Sequence, residues 1–337
     1  MLCWTLGILA DTYHVTTLED SNKPGTLRYG ITSASTARTI VFDLPGIIHL
    51  ERPLTISKPN LTIDGQHHPV TITGWPVTVS KTHHVTLSHL RIRPGDTNCP
   101  TIQGDALSID TATDILIDHL SVSWSIDEVL SVTHSDRVTV QWSIIAESLN
   151  HSCHLKGEHG YGSLIRYGDG TITFHHNLFA HNRSRNPRVG DNITLHFTNN
   201  VIYNYGFKGG QATYTGPAEE GTTKINYIAN TTIPGPSTDK SRQARIFTGG
   251  STNTHLFQSG NQIDNQPATT KAFTGEYTTV AAPFPTPPAT TSAQQAAEEV
   301  LKQAGANQPH DPIDQRILND VKNKTGQIID APSAKLM

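Results

Sequence analysis

Short runs in which apolar and polar residues alternate recur along the chain. The alternation has the period of two expected of a strand, and the runs are rich in Val, Ile and Thr. Successive aligned runs start 24, 30, 23, 34, 23 and 30 residues apart, and repeats of about 20–50 residues are typical of solenoids. The seven runs begin at Leu61, Val85, Ile115, Val138, Ile172, Leu195 and Ile225.

This spacing favours an all-β fold, a right-handed parallel β-helix. One coil of this length cannot bury its apolar face alone, so neighbouring coils stack and share a core. The longer coils predict loops on one side, where solenoids usually bind their ligands. Asn177, Asn200 and Asn230 each lie five residues after the start of a run. Stacked in line, they predict an internal asparagine ladder.

The chain changes character after residue 281. Residues 282–292 are rich in Pro and Thr, which predicts an extended segment. A capping-box spacing from Ser292 to Gln295 predicts a helix that ends before Gly305. We expect residues 12–281 to form the β-helix, with residues 282–337 in the same domain.

A second helix is predicted further on, with Asp311 as N-cap, Pro312 in the first turn and Gly326 at its end. We expect both C-terminal helices to pack on or near the solenoid, where they cap or flank it.

Net charge and hydropathy limit the classes of molecule that the chain is expected to bind. Lys and Arg number 25 against 29 Asp and Glu, a net charge of −4, which argues against a strongly basic nucleic-acid-binding protein. No stretch approaches the roughly 18 apolar residues of a membrane span, so we expect neither nucleic acid nor membrane as a partner. Residues 1–11 form an atypical apolar start that lacks the basic region of a signal peptide.

The three cysteines, Cys3, Cys99 and Cys153, are too few and too scattered for a disulfide framework or a zinc site. The sequence allows one bridge, between Cys99 and Cys153, and leaves its formation open.

Carboxylates cluster in the segments that follow the second and third runs. Residues at one register of stacked coils lie about 4.8 Å apart, so Asp105, Asp118, Asp127 and Glu128 are expected to converge. Several hard oxygen ligands suit Ca²⁺. The alternative is that Asp105 and Asp118 bind backbone N–H groups at the coil corners, as Asp often does. For Asp118, flanked by apolar residues, we favour a structural or supporting role.

A cationic group follows in the segment HNRSRNPRVG, which contains Arg183, Arg185 and Arg188. A guanidinium group has the planar geometry for bidentate binding of a carboxylate, so these arginines are candidates for binding an acidic ligand rather than a solvated surface. Lys156 and His159, on a Gly-rich loop one coil earlier, are expected to line the same groove. His175 and His176 are expected in the core or in a ladder.

At this point several motifs resemble those of one family. The segments DALSID, ILIDHLSVSWSIDEVLSV, TITFHHNLFAHNRSRNPRVG and TNNVIYNYG resemble the pectate lyases of polysaccharide lyase family 1. The C-terminal segment is similar to that of bacterial-type members, and the resemblance extends from about Thr12 to Asp330. It implies a β-helix that cleaves polygalacturonate by β-elimination, with Ca²⁺ between the carboxylates of protein and substrate.

The resemblance also implies roles for single residues. Arg185 matches the family's catalytic arginine, which takes the C5 proton of galacturonate, and Arg188 matches an arginine that contacts substrate. Asp105 and Asp127 match calcium ligands. Asp118 matches the aspartate of an Asp-His pair that supports the site.

The chain departs from the family pattern at Ser131 and Gly190, and the groove lysine of the family has no firm counterpart. Ser131 stands where the family has the second carboxylate of a calcium pair, so Glu128 is the candidate to replace it. Gly190 stands where a further arginine is common, and Lys156 is the nearest candidate for the groove lysine. Because an arginine acts as base in this chemistry, we expect activity to rise towards alkaline pH.

Other functions remain open. A pectin lyase would act on methyl-esterified chains without calcium, and Ser131 keeps that alternative in place. A β-helical glycosidase needs two suitably spaced carboxylates, but the signature segments of that family are missing. A non-catalytic carbohydrate-binding solenoid would bind the polymer and release no product. Since a wall polymer is too large for uptake, we expect an extracellular protein, and we expect a monomer.

Overall fold

The structure is a computed structural model that describes residues 11–101, 103–217, 221–285, 287–306 and 309–333. The predicted atypical start, residues 1–11, lies outside the described residues except for Asp11, which begins the first strand.

The chain winds through three parallel sheets, which we name A, B and C in the order in which each coil visits them. Strands are numbered along the chain. Sheet A contains β1 (Asp11–Val15), β2 (Arg38–Phe42), β5 (Leu61–Asp64), β8 (His83–Ser88), β11 (Thr113–Asp118), β14 (Asp136–Gln141), β17 (Thr171–His175), β20 (Thr194–Thr198) and β23 (Thr223–Ile228). Sheet B contains β3 (Gly46–His49), β6 (Val70–Thr73), β9 (Leu90–Arg93), β12 (Ser121–Ser123), β15 (Ile144–Ala146), β18 (Leu178–Ala180), β21 (Val201–Tyr203), β24 (Thr231–Ile233) and β26 (Gln262–Ile263), with β27 (Gln266–Pro267) antiparallel to β26.

Sheet C completes each coil. It contains β4 (Leu54–Ile56), β7 (Val77–Ser80), β10 (Leu107–Asp110), β13 (Glu128–Thr133), β16 (Tyr161–Arg166), β19 (Arg188–Val189) and β22 (Thr213–Thr215). The long strand β25 (Phe247–Ser259) pairs with β22 through its first part and with β23 through its second, and β28 (Phe273–Thr279) pairs with β25. The predicted parallel β-helix is therefore confirmed.

The predicted repeat is the register of sheet A. Each of the seven run starts is the direct neighbour of the next across a parallel strand pair, and Leu256 continues the row after Ile225. Residues of this row point inward and are almost completely buried. One apolar core extends along the solenoid, because every coil presents Val, Ile or Leu at the same position.

The predicted asparagine ladder is present and longer than expected. The Asn177 amide donates to Asn200 Oδ1 at 3.0 Å, Asn200 donates to Asn230 at 3.2 Å, and Asn230 donates to Asn261 at 3.1 Å. All four side chains are buried. Asn261 occupies the same register as the others, five residues after Leu256, and extends the ladder by one coil.

Among the described residues, three α-helices accompany the strands: α1 (Leu27–Thr32), α2 (Ala293–Gln303) and α3 (Pro312–Asn323), besides 3₁₀ turns at Phe207–Gly209 and Thr270–Ala272. The alternation pattern gives no sign of α1, which is a short helix capped by Thr26 and lies against β1, β2 and β4. Within the described residues, no helix combines the length and the apolar character that crossing a bilayer would require.

Both predicted caps form at the C-terminal helices. The Ser292 hydroxyl accepts from the Gln295 N–H, and the Asp311 carboxylate accepts from Ile313 and Asp314. The predicted end of the second helix at Gly326 is wrong. The helix ends at Asn323, because Lys324 takes a left-handed conformation (φ 54°) and returns its N–H to the last turn.

Helices α2 and α3 pack on sheet B. Val300 and Ile317 are fully buried against apolar residues of the sheet B strands. Arg93, which is also fully buried, forms ion pairs with Asp311 and with Asp314, the latter at 2.7 Å. A buried arginine requires such partners, so the charge on the sheet helps to fix where α3 lies.

We predict that Asn200→Ala lowers the free energy of unfolding by about 2–4 kcal/mol, because it leaves buried partners in two neighbouring coils without hydrogen bonds. Urea denaturation measures the change. Asn253→Ala is the control, since Asn253 is exposed; we expect it to change stability by less than about 0.5 kcal/mol. A loss at Asn200 no larger than at Asn253 would contradict the role given to the ladder.

Candidate active site

The loops that lead from sheet B into sheet C stack along one side of the β-helix, which we name the B–C edge. They precede β10, β13, β16 and β19, the strands of four consecutive coils. The structure places eight of the nine predicted site residues at this edge or at the first residue of the strand that follows it: Asp105, Asp127, Glu128, Lys156, His159, Arg183, Arg185 and Arg188.

Three carboxylates converge there. Oxygens of Asp105, Asp127 and Glu128 lie within 4.8 Å of one another. Asp105 accepts hydrogen bonds from the Glu128 N–H at 3.2 Å and from the Ser108 hydroxyl at 3.0 Å. Asp127 Oδ1 is buried and has no hydrogen-bond partner within the described part of the chain. The predicted convergence of these residues is therefore present in the structure.

The electrostatics of this cluster suit a cation. Removal of the Asp105 carboxyl from water, together with the nearby charge of Asp127, raises the pKa of Asp105 to about 7. The hydroxyls of Ser131 and Ser108 act in the opposite direction but do not offset this effect. Crowded carboxylates, one of them with an oxygen that accepts no hydrogen bond from the described residues, form a donor set of hard oxygens, which is what Ca²⁺ prefers. Since Ca²⁺ takes about 6–8 oxygens, three side chains leave room for water and for a carboxylate of the substrate.

Arg185 lies beside these carboxylates. Its guanidinium forms an ion pair with Glu128 and lies over the Tyr161 ring, 3.9 Å from the ring centre. The parallel register accounts for the meeting, because Glu128 pairs with Tyr161 and Tyr161 pairs with Ser184, the residue before Arg185. Glu128 and Tyr161 thus hold the guanidinium from two directions.

Glu128 consequently has two candidate partners. It belongs to the carboxylate cluster, yet in this structure its buried charge is balanced by Arg185. A cation bound by Glu128 would withdraw this carboxylate from Arg185.

Two histidine rings lie on the other side of Asp127. His154 and His159 are stacked with centroids 3.9 Å apart, and their Nε2 atoms lie 3.5 and 3.6 Å from the Asp127 oxygens. Burial lowers the pKa of His159. The Lys156 N–H donates to His154 Nδ1 at 3.2 Å, so neutral His154 carries its proton on Nε2 and acts there as a donor rather than as a metal ligand. The sequence offered no signal for His154 or Tyr161, since loop length hides their register.

Glu158 organises the cations at the edge. It forms ion pairs with Arg183 at 2.8 Å and with Lys208, and the hydrogen bond from Lys208 is the main cause that lowers the pKa of Glu158. Lys208 was not predicted, because it lies in an irregular 3₁₀ turn. The predicted Lys156 is exposed on the same loop as Glu158.

A disulfide bond joins two of the loops. Cys99 and Cys153 are bonded, with Cα atoms 5.8 Å apart, so the bridge that the sequence left open is present. It connects the loop before Asp105 to the loop that contains His154 and His159.

The ninth predicted residue lies elsewhere. Asp118 ends β11 at the corner between sheets A and B, where it bonds His119 at 2.8 Å and Gln141 at 2.9 Å. The structure does not bring it to the B–C edge, so the expected supporting role at the site is corrected to a role at this corner. His176 lies at the same corner and stacks on Trp142 with ring centres 4.2 Å apart, in line with the expected ladder.

Comparison with known proteins identifies the family. No protein-family model matches the chain. A probable pectate lyase C of Neosartorya fischeri is 32% identical over 334 residues, which covers 94% of this chain and 74% of that protein. The chain belongs to the pectate lyase family of polysaccharide lyases. A probable pectate lyase C of Aspergillus fumigatus is 33% identical over 328 residues, covering 92% and 72%.

Solved structures of the pectate lyase fold agree with the architecture. Jun a 1, the major allergen of cedar pollen, superposes with a TM-score of 0.70 at 22% identity and covers 88% of each chain. Pectate lyase Bsp165PelA of Bacillus sp. N165, in complex with trigalacturonate, gives a TM-score of 0.59 at 15% identity, covering 89% of this chain and 94% of that one.

We predict that the Tyr161 ring, rather than its hydroxyl, positions Arg185. Tyr161→Phe keeps the ring under the guanidinium and should leave kcat within about 2-fold of the wild type, whereas Tyr161→Leu should lower kcat about 10-fold with little change in KM. Tyr167→Leu is the matched control, because Tyr167 also carries an arginine, Arg166, over its ring at 4.5 Å. A large loss of kcat in Tyr161→Phe would contradict the prediction.

A second prediction concerns pH. Because the folded protein holds the Asp105 proton up to about pH 7, against an ordinary pKa of 3.8, the unfolded chain releases this proton first as pH rises. Calcium-free protein should therefore lose stability between these two values, and Asp105→Asn should abolish this loss. Urea denaturation in EDTA at several pH values measures it.

Asp110→Asn is the control for this experiment, because its hydrogen bond with His134 is among the contacts that hold the pKa of Asp110 below the ordinary value despite burial. Its contribution has the opposite sign, present at neutral pH and lost as pH falls. An identical pH profile for Asp105→Asn and the wild type would be evidence against the Asp105 shift.

Proposed function

We propose that the chain is a pectate lyase that cleaves α-1,4-linked polygalacturonate by β-elimination, with Ca²⁺ as cofactor and Arg185 as base. The observation that carries the proposal is the meeting of three carboxylates with Arg185 at one place on the B–C edge. Carboxylates alone would bind only a cation, and arginines alone would bind only an anion. Their combination suits a substrate that is itself a polymer of carboxylates.

The chain's own residues divide the binding tasks. Asp105, Asp127 and Glu128 would hold the calcium ion, which supplies a positive charge for the substrate carboxylate and for the charge that develops at C5. Arg188, at the start of β19, and Lys156, on the exposed loop, are placed to bind carboxylates of the polymer. Arg183 and His159 are proposed as further substrate contacts. Names of relatives support the substrate class, since these are pectate lyases and one was crystallised with trigalacturonate.

The proposed elimination needs neither an oxidant nor a reductant. Arg185, in its neutral form, takes the proton from C5, and the electron pair of that C–H bond becomes the C4–C5 double bond. The C4–O4 bond breaks, and the leaving oxygen takes a proton from water. Products are one saturated chain end and one unsaturated sugar.

Arg185 has to be made available for this step. A carboxylate partner favours the protonated guanidinium, which cannot accept a proton. Engagement of Glu128 in cation binding would free Arg185 from its ion pair and leave it on Tyr161, facing the groove. Arginine ordinarily titrates above pH 12, so activity should increase towards alkaline pH.

A pectin lyase is the second candidate function. Ser131 supplies a hydroxyl where the family pattern has a carboxylate, and a probable pectin lyase B of Aspergillus niger is 25% identical over 73% of this chain, covering 66% of that protein. In that case methyl-esterified pectin would be the substrate and calcium would be unnecessary. For either polymer, its size leads us to propose an extracellular enzyme, and we also propose that the enzyme is a monomer.

The test is the ultraviolet absorbance of unsaturated product from polygalacturonate at alkaline pH, with calcium and with EDTA. We expect the absorbance to increase only when calcium is present. We expect Arg185→Ala to lower the rate of this increase at least about 100-fold, as loss of a general base does. Arg137→Ala is the control, because Arg137 is an exposed arginine that is paired with Asp114 and lies on β14 of sheet A rather than at the B–C edge.

Each other outcome has a distinct meaning. An increase in absorbance on methylated pectin that EDTA does not prevent would favour the pectin lyase. Binding of either polymer without any increase in absorbance would favour a non-catalytic carbohydrate-binding solenoid. Equal rates for Arg185→Ala and Arg137→Ala would overturn the role of Arg185.

A further inference from the structure

The B–C edge continues beyond the candidate active site. The loops over 204–212 and 234–246 belong to the two coils that follow the coil of Arg185, and both loops are described throughout. Together they contain four cationic residues and one carboxylate, that of Asp239. This balance contrasts with a chain whose net charge is −4. We name the four cations the basic edge: Lys208, Lys240, Arg242 and Arg245.

The basic edge is continuous with the arginines of the site. Arg183 Nη2 donates to the Lys208 carbonyl at 3.1 Å, and Arg242 Nη2 donates to the Gly209 carbonyl at 3.2 Å. Asp239 accepts from the Gly209 N–H at 2.8 Å and so ties the two loops together. Arg183, Lys208 and Arg242 therefore follow one another on consecutive coils, which stack about 4.8 Å apart.

The opposite direction along the edge has the opposite sign. The loops before β10 and β13, two coils towards the N-terminus, contain Asp96, Asp105 and Asp127. Their described residues, 94–101, 103–106 and 124–127, include neither Lys nor Arg. The charge of the edge thus changes from acidic to basic across the arginines of the site.

We propose that the basic edge is a further substrate-binding site, which binds ionised carboxylates of an acidic polysaccharide directly, without a metal ion. The proposal deepens the proposed function and rests on it for the identity of the polymer. One coil spans about the length of one sugar residue, so a chain that follows the edge presents successive carboxylates to Lys208 and then to Arg242 and its neighbours. Calcium would be needed only on the acidic side.

The side chains are suited to this task. The Lys208 side chain is 53% exposed beside its ion pair with Glu158, and Lys240 and Arg245 are exposed, so all three are accessible to a polymer. Arg242 is half-buried and its guanidinium is already held by the Gly209 carbonyl. An arginine fixed in this way loses little side-chain freedom when it binds a carboxylate.

The proposal predicts a dependence on chain length. A trimer cleaved at Arg185 covers at most part of the basic edge, whereas a longer chain covers all of it. Removing the charges of Lys240 and Arg245, on the farther of the two loops, should therefore raise KM for the polymer and leave kcat, and KM for trigalacturonate, unchanged. Methyl esters carry no charge, so fully esterified pectin should gain nothing from the basic edge.

The direct test is electrophoresis through gels that contain polygalacturonate and EDTA, where retardation reports binding without turnover. We expect Lys208→Gln/Arg242→Gln/Arg245→Gln to bind about 10-fold more weakly than the wild type, as for the loss of several exposed charge contacts. Much of the salt dependence of binding should also disappear. Lys58→Gln/Lys224→Gln/Lys322→Gln makes the same change in net charge at exposed positions away from the edge, and it should be retarded like the wild type.

A second variant controls for misfolding of the first. Lys240→Gln/Arg245→Gln alters only exposed side chains and should weaken retardation in the same direction. Equal retardation of the wild type and both variants of the basic edge would overturn the proposal, as would equal weakening in the control. Because EDTA prevents calcium-dependent cleavage, wild-type binding that these variants lose would support the basic edge even if no lyase activity were found.

Discussion

Everything in this protein depends on the pairing of each strand with the same strand of the next coil. Hydrogen bonds between parallel strands keep one register from Leu61 to Leu256, so like residues stack on like. Apolar residues then form one core, and asparagines form one buried ladder. A shift by one residue in any coil would turn its apolar row outward, which is why the ladder and the core act as mutual checks on the register.

The same constraint assembles the chemistry. Glu128 and Arg185 are 57 residues apart in sequence, yet they meet because Glu128, Tyr161 and Ser184 occupy adjacent positions in successive coils. Loops before sheet C can vary in length, since an insertion there leaves the paired strands in register. The solenoid therefore supplies fixed spacing, while its loops supply carboxylates, histidines and arginines to a single edge.

Sequence reasoning succeeded where the repeat governs position and failed where it does not. The period placed the runs of sheet A and the asparagines, and it indicated that Asp105 and Asp127 converge. Asp118 was misplaced, because sequence proximity to the acidic cluster does not tell which corner of the coil a residue occupies. Lys208 and His154 lie in irregular loops, and their neighbours are set by tertiary contacts that no period describes. Helix α3 ended early because Lys324 adopts a conformation more typical of glycine.

The Cys99–Cys153 bond links the loop that contains Asp105 to the loop that contains His154 and His159. Such bonds persist in oxidising surroundings and are reduced in the cytosol of most cells. A newly made chain with free thiols would have the β-helix and its core, but these two loops would be joined only by weaker, noncovalent contacts. Completion of the site would then be set by where the protein is located as much as by how it folds, which would restrain the chain's chemistry until it reaches an oxidising environment.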